Sequence, residues 1–272
     1  APGQERHRQA LAGHQRVRRL SLLVGAIVFV DHRIDTAGRR ERVGIVTEEI
    51  GAVENFARAG VEIEHHDAAV LAIDFSGDGR ADIWGNVADV LASTANYLRK
   101  WKWNPALPWG FEVLVPDGFD YMRSRASFAE WQALGVRRAD GKAFPNSGQG
   151  IIFFPSGAGG PGFIVTENFA VLKEYNNSDA YAIAVGHLAD RIHGGDLIKT
   201  PWPKDDRQLS RDARVALQKR LAALGYKVNE FEGHIDFDLR DNIRAEQKKL
   251  GMLPDGNPTP ALLEKLGVSP RF

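Results

Sequence analysis

The sequence predicts a mainly helical α+β chain, with a small antiparallel strand subdomain inserted among helices and a three-helix module at the end. Three observations carry that expectation. Apolar positions recur at helical spacing behind good cap residues at 86–98, at 178–192 and in three segments after 210. Short Val-, Ile- and Phe-rich pieces separated by Gly and Pro turns occupy 111–175. KTPWPKDDRQ from Lys199 is rich in proline and charge, which marks a boundary where few contacts need cross.

Composition narrows the function classes. A length of 272 residues allows one to three domains, and 43% hydrophobic with 26% charged residues is ordinary for a globular chain. Lys plus Arg equals Asp plus Glu at 35 each, so no global field favours nucleic acid or an anionic membrane. Cysteine is absent, which excludes disulfides and thiol chemistry. No run reaches the roughly 18 apolar residues of a membrane span. LSLLVGAIVFV, Leu20 to Val30, follows Arg16, Arg18 and Arg19 in the order of a signal peptide. Asp31, His32 and Arg33 stand where a small-residue cleavage site belongs, so a buried strand is the expected reading.

Residues 1–70 show no clean period, and they start at Ala1, as a processed product or a fragment would. His65, His66 and Asp67 are metal-capable, but adjacent side chains point different ways, so a solvated loop is expected. Beyond them lies the most informative stretch, DFSGDGRADIWGNVADVLASTANYLRKWKW. Asp74, Ser76, Asp78, Arg80 and Asp82 fall at the first, third, fifth, seventh and ninth places of an EF-hand-type loop, with Gly79 at the sixth. The twelfth place, normally a bidentate Glu, is Gly85, so the cage is incomplete. The loop reads either as a structural Ca²⁺ or Na⁺ site or as a tight Asp/Gly turn that caps the next helix. Asn86 is the expected N-cap, Asp89 the acidic partner of a capping box, and Val87, Val90, Leu91, Ala95 and Leu98 the buried stripe.

FEVLV from Phe111, IIFFPS from Ile151, FIVT from Phe163 and FAVLKEY from Phe169 read as strands, with a short helix at 128–134. The glycines of GAGGPG lack a following Lys-Ser/Thr, so they read as a hairpin loop and not a phosphate cradle. Ser178 or Asn177 caps a helix with Tyr181, Val185, Leu188 and Ile192 inward, which places Tyr175 and Asn176 at a strand-to-helix turn. In the last region Ser210, Asp236 or Asp238, and Thr259 cap three helices. Leu217, Leu221 and Leu224, then Leu239, Ile243 and Leu250, then Leu262, Leu263 and Leu266 form their inner faces.

The acidic loop, the helix bearing STANYL, WKWNPALPWG and YNNSDAYAIAVGHLADRI, in this order, resemble the lytic murein transglycosylase B family over roughly 72–267. LQKRLAALGY, GHIDFDLRDNIRAEQKKLGMLPDG and TPALLEKLG resemble the peptidoglycan-binding domain type 1, except that Glu246 stands where the family often has an aromatic before Gln247. The resemblance implies a lysozyme-like transglycosylase region. The expected division is an unmatched segment 1–70, a partial catalytic region 71–198, a linker 199–208 and a wall-binding module 209–268.

The resemblance also implies cleavage of peptidoglycan glycan strands in the periplasm or envelope, by a monomer, with no required cofactor and no nucleic-acid partner. One glutamate protonates the bond between N-acetylmuramic acid and N-acetylglucosamine, and the muramoyl 6-hydroxyl closes a 1,6-anhydro ring. Such an acid needs a raised pKa. By resemblance, Tyr97, Tyr175 and Asn176 line the sugar cleft. The Glu-Ser and Gly-, Met- and Gln-bearing motifs of the family are not found before Asp74. Glu48, Glu49, Glu54, Glu62 and Glu64 lack the expected neighbours, so the catalytic residue is unknown. Three readings stand: an active transglycosylase, a wall-binding protein without turnover, or a truncated fragment.

Overall fold

The computed structural model describes residues 71–269, together with the backbone of two short paired strands, β1 (Arg33–Ile34) and β2 (Arg40–Glu41). The expectations for Leu20–Val30, for His65, His66 and Asp67, and for the five glutamates lie outside the described residues. Contacts divide the chain into two compact units: 1–104 with 171–189, and 105–170 with 190–272.

In the first unit, α1 (Val87–Lys100) begins at Asn86, whose side chain accepts from the backbone N–H groups of Ala88 and Asp89. It ends where Lys102 adopts φ 63° and the N–H of Trp103 reaches back to the carbonyl of Leu98, closing a Schellman turn. The inner face differs from the expected stripe. Asp89 and Val90 are buried, whereas Leu91 is 55% exposed and Val87 also lies open. Asp89 turns inward because three backbone N–H groups meet its carboxylate there, and that rotates the helix away from the apolar register.

FAVLKEY forms a helix, not a strand. The element α3 (Glu167–Tyr175) starts behind Thr166, whose hydroxyl accepts from the N–H of Asn168. The apolar run is too short for period alone to separate helix from strand. A turn then leads into α4 (Asp179–Ile192). Tyr181, Ala182, Ile183 and Gly186 are buried on α4, while Ile192 is 67% exposed. The small residues at 182 and 186 mark the close face, so the stripe read from the large side chains is displaced.

The second unit holds a five-stranded antiparallel sheet in the order β4-β6-β7-β3-β5. Its strands are β3 (Gly110–Leu114), β4 (Arg125–Ser127), β5 (Arg137–Arg138), β6 (Gln149–Phe153) and β7 (Gly162–Val165). GAGGPG joins β6 to β7 as a hairpin, with Ile151 opposite Val165 and Phe153 opposite Phe163. One face of the sheet packs Phe111, Val113, Ile152 and Ile164 against Phe128 and Trp131 of α2 (Phe128–Ala133). Ser127 and Glu130 close a reciprocal capping box on that helix. Gly150 permits this packing: a Cβ there would stand 2.4 Å from Ile164 Cγ2 and 2.9 Å from the Val165 carbonyl oxygen. The other face stacks Phe153 and Phe163 against Phe169, Trp202 and Phe237.

The same unit contains α5 (Arg211–Ala223), α6 (Phe237–Lys249) and α7 (Pro260–Lys265), capped by Ser210, Asp236 and Thr259. Leu217, Leu221, Leu239, Ile243, Leu262, Leu263 and Leu266 form their core. Leu224, expected inside, is 39% exposed because it is the C-cap residue of α5. Contacts do cross the proline-rich segment. The buried Arg244 guanidinium donates to the Ile152 carbonyl (3.1 Å), Asp255 accepts from the Ala158 N–H (3.0 Å), and Arg125 pairs with Asp238 (2.8 Å) and Asp241.

Candidate functional site

Two arrangements in the first unit gather the residues singled out in the sequence. The first is aromatic. Tyr97, near the end of α1, meets Tyr175, the last residue of α3, edge-on at 5.8 Å between ring centroids. Tyr175 stacks on Tyr181 of α4 at 5.9 Å, and Trp101 lies 6.3 Å from Tyr97. Asn176 sits in the turn after Tyr175, between two helices and not between a strand and a helix. Its carbonyl accepts from the N–H of Ser178, and an ion pair of 2.8 Å between Lys173 and Asp179 spans the same turn.

Two segments far apart in sequence, α1 and the consecutive helices α3 and α4, are thus brought to one aromatic group, and both Tyr97 and Tyr175 remain partly exposed. Burial raises the pKa of Tyr175. Burial, with the neighbouring Tyr175 and Tyr97, raises that of Tyr181 much further. These phenols therefore stay neutral at ordinary pH and can both donate and accept hydrogen bonds. From the sequence Tyr181 reads only as a core position. Its helical spacing gives no sign of the ring partner, since Tyr175 belongs to a different helix. Asn96, beside Tyr97, is structural: its amide donates to the Leu71 carbonyl and its oxygen accepts from Arg99.

The second arrangement is the acidic loop. Asp74 accepts from the N–H groups of Gly77 and Gly79, and Asp78 from that of Arg80. Asp82 turns away to accept from Trp84 and Gly85, and the Arg80 carbonyl accepts from the N–H of Asp82. A Cβ on Gly85 would lie 2.5 Å from Asp82 Oδ2, so a side chain at the twelfth place would require the Asp82 carboxylate to move. Asp89 enters the loop from α1. Its carboxylate accepts from the N–H groups of Phe75, Ser76 and Asp82 at 2.9–3.0 Å, and it does not close the capping box that the sequence suggests. Burial acts to raise its pKa, but the three backbone donors and the Ser76 hydroxyl outweigh burial and hold the carboxyl below the usual range.

Carboxylate oxygens of Asp74, Asp78 and Asp89 lie within 4.8 Å of one another. Hard oxygen donors at this spacing suit Ca²⁺ or Na⁺; Asp74 and Asp78 are two of the five positions read from the spacing, and Asp89 joins them from α1. A second metal-capable group, Glu230, Glu232 and His234, lies near the surface, with His234 Nδ1 3.0 Å from Glu230 Oε1.

A general acid would need an elevated carboxyl. Asp89, Glu130 and Asp140 are displaced downward. Besides Asp89, Glu130 is held low by the backbone N–H and hydroxyl of Ser127. At Asp140, burial is outweighed by hydrogen bonds from Arg138 and Lys142.

The three-helix module has an internal repeat of polar chemistry that is silent in the sequence. The buried Gln218 amide accepts from the Gly233 N–H and donates to the His234 carbonyl, both at 2.8 Å. Gln247, equally buried, accepts from the Gly256 N–H at 2.8 Å and donates to the Asn257 carbonyl at 3.1 Å. Each glutamine clamps a glycine with positive φ, 87° at Gly233 and 76° at Gly256. Glu246, where an aromatic is expected, accepts from the Tyr226 hydroxyl at 2.8 Å.

Fold and motifs together define a transglycosylase region followed by a peptidoglycan-binding module. Residues 66–190 match the family "Transglycosylase SLT domain", and residues 210–266 match "Putative peptidoglycan binding domain". The chain is 29% identical over 131 residues to membrane-bound lytic murein transglycosylase B of Escherichia coli (strain K12), covering 44% of this chain and 34% of that protein. It resembles SltB3 of Pseudomonas aeruginosa in complex with NAG-anhNAM-pentapeptide, with a TM-score of 0.65 and 45% identity, over 75% of this chain and 56% of that one. A complex of SltB3 with NAG-NAM-pentapeptide gives 46% identity, the same TM-score, and 74% and 56% coverage. Over residues 66–190 the chain thus carries a transglycosylase SLT domain, and over 210–266 a peptidoglycan-binding domain. It spans about a third of the E. coli relative and a little over half of the P. aeruginosa one.

Proposed function

We propose that this chain is a lytic murein transglycosylase-type protein that acts on the glycan strands of peptidoglycan. Its reaction would cleave the bond between N-acetylmuramic acid and N-acetylglucosamine and leave a 1,6-anhydro end. The observation that carries this reading is the likeness to SltB3, whose complexes hold muropeptides with and without an anhydro sugar. The partly exposed Tyr97 and Tyr175, backed by the buried Tyr181, support it. Neutral phenols and flat ring faces suit pyranose stacking and hydroxyl recognition, and Asn176 offers an amide beside them.

The chemistry asks for one carboxyl acid with a raised pKa, and Glu48, Glu49, Glu54, Glu62 and Glu64 are its candidates. The cation, if one binds at Asp74, Asp78 and Asp89, holds the loop against α1 and takes no part in bond cleavage. The reading places the protein in the periplasm or envelope, as a monomer. Among the described residues no helix is long and apolar enough to cross a membrane.

The test is digestion of purified peptidoglycan with mass spectrometry of the released muropeptides. Release of 1,6-anhydro products is expected, and loss of those products on changing one of the five glutamates to Gln would identify the acid. A wall-binding protein without turnover is the second reading, which the match of residues 210–266 to a peptidoglycan-binding domain supports. Retention on insoluble wall without any anhydro product would establish it, and absence of both would refute either.

A further inference from the structure

The loop that joins α5 to α6 gathers ligating groups to which neither family match gives a task. Glu230, Glu232 and His234 alternate along it, and one ligand atom from each lies within 4.8 Å of the other two. His234 Nδ1 stands 3.0 Å from Glu230 Oε1. Two neighbouring ligands of a tetrahedral zinc ion, each about 2.0–2.2 Å from the metal, are roughly 3.3–3.5 Å apart. The His–Glu pair is thus already within about 0.5 Å of a coordination edge. Glu232 has at most about 1.5 Å to close.

The backbone under these side chains is fixed from α5. The Arg211 guanidinium donates to the Glu232 carbonyl (3.0 Å), and that of Arg214 to the Gly233 carbonyl (2.6 Å). Gln218 accepts from the Gly233 N–H and donates to the His234 carbonyl, both at 2.8 Å. A Cβ on Gly233 would stand 3.1 Å from the Arg211 carbonyl oxygen, so the turn lies close against the helix. Three consecutive residues, two of them ligands, therefore hold their places without a metal, which lowers the ordering cost of binding one. Glu230 and His234 also line a hollow of about 10 Å³, the size of a single ion or water and too small for an organic ligand. Lys227 borders the same hollow and opposes a cation there, but two carboxylates outweigh its one charge.

The donor set decides the kind of ion. Carboxylates alone, as in the Asp74 loop, suit Ca²⁺ or Na⁺. An imidazole among them shifts the preference to a divalent transition ion, which nitrogen ligands favour. Asp236 does not compete for it, because its carboxylate caps α6 through the Leu239 N–H and accepts from Asn229. We propose that Glu230, Glu232 and His234 bind a divalent ion of the zinc class, with solvent in the fourth position. The ion clips the loop to itself ahead of α6. Neither the glycan-cleaving nor the wall-binding reading requires such a site, and its test is separate from theirs.

The test uses the full chain, stripped of metal by a chelator and held in excess Ca²⁺ to occupy the hard-oxygen loop. Zn²⁺ is titrated calorimetrically into the parent, into His234→Ala and into Glu232→Gln. Saturable binding is expected for the parent, with one site lost or weakened at least about 10-fold in each variant. Any binding at His65 and His66 is common to the three proteins and cancels in the difference. Glu232→Gln keeps the contact between His234 and Glu230, so a loss there separates ligation from damage to that pair. Both substituted positions are exposed, so metal-free circular-dichroism melts should match the parent's. Zn²⁺ should also raise the urea midpoint of the parent more than that of His234→Ala.

Zn²⁺ binding that is the same in the parent and both variants overturns the assignment. So does a parent with no saturable Zn²⁺ binding. Either result leaves the peptidoglycan reading untouched.

Discussion

Replacing Gln218 by Leu tests whether the module is held by its buried amides as much as by its leucines. Gln218 is 1% exposed, and its side chain satisfies the N–H of Gly233 and the carbonyl of His234. Leucine has similar bulk but can satisfy neither. The Gly233 N–H is left in a buried turn, at a cost of about 1–3 kcal/mol, and losing the bond to His234 adds about 0.5–1.5 kcal/mol. The greater apolarity of leucine offsets about 1 kcal/mol of this. A net loss of about 0.5–3.5 kcal/mol remains, set against the roughly 5–15 kcal/mol that keeps a domain folded. Urea unfolding followed by circular dichroism at 222 nm should show a lower midpoint with an unchanged slope. Gln247→Leu, which deletes the equivalent clamp on Gly256 and also a bond to Asp255, should lose at least as much. A loss below about 0.5 kcal/mol for both variants would fall within the range of ordinary surface substitutions and refute the role assigned to the clamps.

Three further outcomes are expected. Asp89 has a folded-state pKa below its unfolded value, so its stabilisation is present above the unfolded pKa and is lost as pH falls through the folded one. Thermal melts of the Asp89→Asn variant should therefore lie below the parent at pH 7 and converge on it in acid; parallel curves at all pH would contradict the assignment. Trp131 is fully buried in the sheet core, and Trp131→Ala should cost about 3–5 kcal/mol in the same urea assay. Tyr97→Ala should reduce retention on glycan strands stripped of peptide roughly 2- to 10-fold with little change in the melt, and unchanged retention would remove Tyr97 from the sugar site.

Much of the fold is legible in the sequence because local chemistry and tertiary packing agree. Asn86, Ser210, Asp236 and Thr259 are caps in the sequence and caps in the structure. GAGGPG is the hairpin that its neighbours demand. The departures share a physical origin. On α1 the apolar period points at Leu91, but a buried carboxylate fixes the rotation, and its three donors come from residues 7 to 14 positions earlier. Apolar patterning carries no information about a satisfied buried charge. FAVLKEY departs from the expected strand because a short apolar run suits either a helix or a strand, and the Thr166 cap decides between them. In the aromatic group, Tyr97 and Tyr175 are reached by resemblance. Tyr181 is not, because ring contacts between separate helices leave no trace in spacing.

The proline-rich segment shows how composition misleads about mechanics. KTPWPKDDRQ has the character of a flexible tether, yet Trp202 lies on Phe163 and the backbone N–H groups of Lys199 and Thr200 donate to the Glu112 carboxylate. Fixed prolines and charges can mark a boundary between folding patterns without marking a joint. The three-helix module beyond the segment is attached through a buried cation. Arg244 is 1% exposed, and its pKa is lowered by burial although Asp241 works to raise it. A guanidinium in such a place is costly unless its partners are fixed in position, and one partner is the Ile152 carbonyl of β6. That requirement gives the docking a single geometry, whereas apolar contacts between Phe153 and Phe237 alone would tolerate sliding. The module therefore presents its loops at a fixed distance from the sheet, and a ligand that touches both meets a preset surface instead of one assembled on binding.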